Sequence, residues 1–115
     1  MTVFQSFKSN KDSSSTYNII SFNKRELELI LRLYGQMVSK GEWRDYSVSY
    51  SSSYATFSIF RRSSERPLYI IKKTLGLSKK FDMYSVIGMD GRILKHGKDL
   101  KLVLQVFTKK LFKII

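Results

Sequence analysis

The sequence predicts an α+β domain: an antiparallel β-meander of about five or six strands with two helices packed on one face, behind a disordered N-terminal arm. Apolar residues recur with a helical period from Lys24 to Val38 and again from about Lys98 to Phe112. Between those two stretches the period is two, broken by serine, glycine and aspartate clusters. Strands that follow one another without intervening helices belong to a meander rather than to βαβ units.

Each element has its own justification. Residues 1–16 lack any apolar period and carry Ser9-Asn10-Lys11-Asp12 and Ser13-Ser14-Ser15, which reads as a disordered, basic and serine-rich arm ahead of one domain at 17–115. Phe4 and Phe7 are too sparse for a signal peptide. Tyr17 to Phe22 is expected as a first strand. Asn23 then offers a helix cap and Glu26, three residues on, a capping-box acid, so a helix starts at Lys24. In that helix Leu27, Ile30, Leu31, Tyr34, Met37 and Val38 form the expected core stripe, and Gly41 is its stop. Leu29 and Leu33 widen the apolar arc enough to suggest a second packing surface, against the other helix or another copy of the chain.

After Trp43, Tyr46, Val48 and Tyr50 alternate with serines, and past Ser51-Ser52-Ser53 the residues Ala55, Phe57 and Ile59 do the same, giving a β-hairpin. A turn at Ser63 to Arg66 and Pro67 precede a strand over Leu68 to Lys73. Phe81 to Gly88 forms the next strand, and Asp90-Gly91 is a hairpin signal before a short strand, Arg92 to Lys95. The last helix, from about Lys98 to Phe112, places Leu100, Val103, Leu104, Phe107, Leu111 and Ile114 on one face.

Composition narrows the function. The 115 residues hold 21 Lys and Arg against 9 Asp and Glu, a net charge of +12, and no cysteine. Disulfides and thiolate chemistry are thereby excluded, and a reducing, cytoplasmic setting is expected. No apolar run reaches the ~18 residues of a membrane span. The charge is lopsided: residues 1–60 carry +2 and residues 61–115 carry +10. Such a field attracts polyanions, RNA among them. Lysine also accumulates in chains rich in Ile, Asn, Tyr and Ser, so the arginines carry more information than the lysines.

Catalytic constellations are missing. His96 is the single histidine, no phosphate-binding, nucleophile-elbow or zinc-protease string occurs, and neither a cofactor nor a metal site is expected. The sharpest local feature is Phe60-Arg61-Arg62-Ser63-Ser64-Glu65-Arg66. Guanidinium forks at Arg61, Arg62 and Arg66 suit phosphate, with Lys98 and Lys101 at the last helix as further anion contacts. The same arginines could instead pair with Asp45 or Glu65. Trp43, Tyr46, Tyr50, Tyr54, Phe60, Tyr69 and Tyr84 interleave with this charge, as core or as stacking platforms for single-stranded RNA.

Several strings stand out together: Arg25-Glu26-Leu27, Tyr34-Gly35, Gly41-Glu42-Trp43-Arg44-Asp45-Tyr46, and Phe60-Arg61-Arg62 with Ser64-Glu65 and Pro67-Leu68-Tyr69. Tyr84-Ser85-Val86 and Lys109-Lys110-Leu111 follow them. In these the chain resembles a small uncharacterised alphaproteobacterial family, a domain of unknown function, over roughly Phe22 to Leu111. The serine-heavy tip, Ser49 to Ser53, departs from the charged residues expected there. The resemblance implies a bacterial cytoplasmic protein and supplies no activity, ligand or catalytic residue. The expectation is a basic, non-enzymatic binding module, for RNA or another polyanion. The alternative is a protein-interaction or homo-oligomeric domain acting through the first helix.

Overall fold

A computed structural model describes residues 19–62, 66–75 and 82–114. The expected arm lies outside them, as do the residues of the turn at 63–65 and, of the expected first strand, Tyr17 and Asn18. The order is α1 (Lys24–Ser39), β1 (Asp45–Tyr50), β2 (Tyr54–Phe60), β3 (Tyr69–Leu75), β4 (Asp82–Gly88), β5 (Ile93–Gly97) and α2 (Leu100–Ile114). The strands pair antiparallel in sequence order, β1-β2-β3-β4-β5, so the α+β meander is the observed fold. Among the described residues of that expected strand, Ile20 makes an isolated bridge to Ser51 and Phe22 enters the core.

Local chemistry sets the helix ends. The Asn23 side chain accepts from the Glu26 amide at 2.8 Å while Glu26 Oε1 accepts from the Asn23 amide at 2.7 Å, a complete capping box. At the other end Gly41, at φ +78°, and Glu42 donate back to Val38 and Met37, each at 2.9 Å. That paired closure needs a left-handed residue, which glycine supplies without a Cβ penalty. Helix α2 starts at Leu100 rather than Lys98 because Asp99 is its cap, accepting from the Lys101 amide at 3.0 Å. Gly91, at φ +88°, closes the β4-β5 turn in which Gly88 donates to Arg92 at 2.8 Å.

The core lies between one sheet face and the helices. Ala55, Phe57 and Ile59 of β2, Ile71 of β3 and Val86 of β4 are fully buried, facing Ile30, Val103 and Phe107. The buried stripe of α1 is Glu26, Ile30 and Met37, flanked by half-buried Leu27 and Tyr34 on one side and Leu29 and Leu33 on the other. Leu31 and Val38, expected in the core, are exposed. The helix is therefore rotated toward its Leu29 side, a shift that the inward-facing Glu26 explains below.

Both helices run the same way. Gly97, the last residue of β5, pairs with Tyr84, whose hydroxyl meets Glu26 in the first turn of α1, so α1 and α2 begin at one end of the sheet. At the far end Trp43, just past α1, meets Phe107 of α2 edge-on at 5.1 Å.

Candidate functional site

The five residues singled out from the sequence fall into separate places. Arg61 and Arg62 follow directly on β2, where the strand pairing returns the chain to Arg44, whose amide donates to the Phe60 carbonyl at 2.9 Å. These three arginines, with Val38, Gly41 and Trp43, line a cleft of about 530 Å³ at the C-terminal end of α1. Among the described residues no carboxylate lines it and none of the three arginines forms an ion pair, Asp45 included. Arg66 is exposed and lies outside that lining. Arg44 enters the site only through the β1-β2 register, which opposes Asp45 to Phe60.

Lys98 and Lys101 stand at the opposite end, on either side of the Asp99 cap. They line a hollow of about 550 Å³ with Arg25, Leu29 and the buried pair Glu26 and Tyr84. The 16 residues of α1 separate the two ends, about 24 Å at 1.5 Å per residue. No single side-chain constellation unites the five. The hollow adjoins a second, of about 230 Å³, that shares Leu29 and Lys101 and adds Arg32, Leu33, Gln36, Leu104, Gln105 and Thr108.

Behind the hollow is a buried polar network that the sequence reading did not identify. Glu26, Lys73 and Tyr84 are 5%, 7% and 8% exposed. Lys73 Nζ donates to Glu26 Oε1 and to the Ser21 carbonyl, both at 2.9 Å, and the Tyr84 hydroxyl donates to Glu26 Oε2. Lys73 and Tyr84 oppose each other across β3 and β4, so the sheet register brings them together. One signal was available: alternation from Tyr69 through Ile71 puts Lys73 on the inward side, where an unpaired lysine would be costly.

Of the strand aromatics Trp43 and Tyr84 are buried, and Tyr50 and Tyr69 are half-buried against the core, where Tyr69 meets Phe107 at 5.0 Å and Tyr50 meets Phe22 at 6.1 Å. Tyr46 is exposed, although its ring stacks on Phe57 at 4.7 Å. Tyr54 and Phe60 fall on the other sheet face, at the two ends of β2 and about 20 Å apart at 3.3 Å per residue. Lys72 already sits over the Tyr54 ring, 4.4 Å from its centroid. Burial raises the Tyr34 and Tyr50 phenols above their ordinary range, with nearby Asp45 adding to the first and Glu26 to the second; a backbone hydrogen bond at Phe22 partly offsets the second shift. Among the described residues no group of three His, Asp or Glu side chains could hold a metal ion, and no helix is long and apolar enough to cross a membrane.

Residues 20–104 match the family model described as "Protein of unknown function (DUF2794)", and the chain belongs to that family. No curated protein and no solved structure matches it.

Proposed function

We propose that this member of the DUF2794 family is a small, basic, non-enzymatic binding module of the cytoplasm whose ligand is a polyanion, with RNA as the class. The observation that carries this reading is the arginine cleft. Arg44, Arg61 and Arg62 line it together, with no carboxylate among its described lining residues. Guanidinium groups that share one concave surface, without an ion-pair partner among the described residues, are suited to phosphate oxygens, which they grip in bidentate fashion. The C-terminal dipole of α1 balances only about half a charge of the three. The surplus is available to a ligand.

Contacts of this kind hold a backbone and do not read bases, so affinity should be steep in salt and weak in sequence preference. Replacing Arg44, Arg61 and Arg62 with Gln should flatten the log–log salt slope for single-stranded RNA by up to about 2, at roughly 0.7 per lost phosphate contact. Arg66→Gln alone should change it by at most one such contact. Fluorescence anisotropy at several salt concentrations measures the slope, and thermal melting checks the fold. An unchanged slope in a folded triple variant refutes the arginine site. A lowered melting temperature with that unchanged slope assigns the arginines to stability.

A further inference from the structure

We propose that the groove between α1 and α2 receives an amphipathic helix of a partner protein, apolar on the face that enters and acidic along both flanks. This inference is independent of the arginine cleft at the other end of α1.

The groove lies over the line along which the parallel helices α1 and α2, each packed on the sheet through its buried side chains, meet each other. Two hollows, of about 550 and 230 Å³, adjoin along it at Leu29 and Lys101. Its floor is apolar. Leu29 and Leu33 are half-buried and lean on the core, and Leu104 is buried between them and the sheet side of α2. Its rims are cationic: Arg25 and Arg32 on α1, Lys101 on α2, all exposed. The two carboxylates at its head are already engaged, Glu26 with Lys73 and Tyr84, and Asp99 with the amide of Lys101.

Charge selects the occupant. A second copy would bring its own Arg25 and Arg32 against the same rims, on a chain of net charge +12, and is repelled. A nucleic acid gains nothing from a leucine floor. An acidic amphipathic helix satisfies both, placing apolar side chains on the leucines and carboxylates beside the cations, which is the helix-in-groove mode of recognition. From Arg25 to Gln36 the wall is about 16 Å long at 1.5 Å per residue, room for three turns and for anchors at i, i+4 and i+7.

The test uses the full chain and a fluorescein-labelled synthetic 18-residue peptide with Leu at i, i+4, i+7 and i+11 and Glu on both flanks. One control has the same composition in scrambled order, and a second carries Lys in place of Glu. The ordered Glu peptide should bind at least tenfold more tightly than the scrambled one in anisotropy titrations. Arg32→Glu with Lys101→Glu, both surface changes, should weaken it at least tenfold and reverse the preference toward the Lys peptide, with the circular dichroism spectrum unchanged. Arg44, Arg61 and Arg62 replaced by Gln should leave peptide binding as it was. Equal affinity for ordered and scrambled peptides, or indifference to the charge reversal, overturns the proposal. So does duplex RNA that displaces the ordered peptide and loses affinity in the same proportion on charge reversal, and so does sedimentation showing a dimer that excludes the peptide.

Discussion

Lys73→Met should be among the most destabilising single substitutions in this protein. It leaves the Glu26 carboxylate, 5% exposed, without the ammonium that contacts it at 2.9 Å. Breaking a buried ion pair from one side costs about 3–5 kcal/mol, because the remaining charge is neither solvated nor compensated. For a domain of this size about 4 °C of melting temperature corresponds to each kcal/mol, so the loss should be about 12–20 °C. That is a large part of the ~5–15 kcal/mol by which such domains are stable.

The double variant Glu26→Gln with Lys73→Met makes the reasoning testable. A neutral Gln keeps an amide oxygen to accept from the Asn23 amide, offers its NH2 as a donor to the Tyr84 hydroxyl oxygen, and removes the stranded charge. It should therefore be more stable than Lys73→Met alone, although it carries one more substitution. Urea unfolding, followed by circular dichroism and by the fluorescence of buried Trp43, measures all members of the cycle. A Lys73→Met loss below about 1 kcal/mol, the range of a surface pair, would refute the account. So would a double variant no more stable than Lys73→Met.

Alkaline pH should weaken the fold through Tyr34 and Tyr50. Burial raises both phenols, so their contribution is complete below the unfolded value of 10.0 and is lost as pH rises through the folded values. Replacing both with Phe should make the fall in urea midpoint between pH 9 and pH 11 shallower than in the parent, and an equal fall rejects the assignment. Lys101→Glu should raise stability by about 0.3–1 kcal/mol, since it replaces a cation with an anion in the first turn of α2. A melting temperature that falls would show that Lys101 has a structural role.

What was legible in the sequence was local. The capping box of Asn23 and Glu26, the stop at Gly41 and the turn at Asp90-Gly91 each depend on residues close to one another in sequence, and each is found where its pattern stands. The rotation of α1 was not legible. Leu27, Leu29, Ile30, Leu31 and Leu33 leave an apolar arc so wide that two phases bury similar area, and the phase is set by Glu26 reaching Lys73 and Tyr84, 47 and 58 residues away. The candidate site divides for the same reason. Arg61 and Arg62 were visible as a string, but Arg44 joins them only through the hairpin register, and Lys98 and Lys101 part from them because α1 spans the molecule between.

The two cationic regions differ in what holds them there. Arg44, Arg61 and Arg62 lie at the C-terminal end of α1, where the helix dipole favours positive charge, so part of their presence is accounted for by stability. Arg25 and Lys101 lie in the first turns of α1 and α2, where the helix dipole disfavours a cation, beside Glu26 in the one case and the Asp99 cap in the other. Cations at helix N-termini cost roughly 0.3–1 kcal/mol each, so composition drift toward basic residues is opposed at these positions by the fold itself. The groove thus holds its positive charge against a local penalty, beside leucines that the core only half covers. A partner that brings carboxylates to those rims would reverse the penalty on binding, since its charge would sit where both helix dipoles and both sets of side chains attract it.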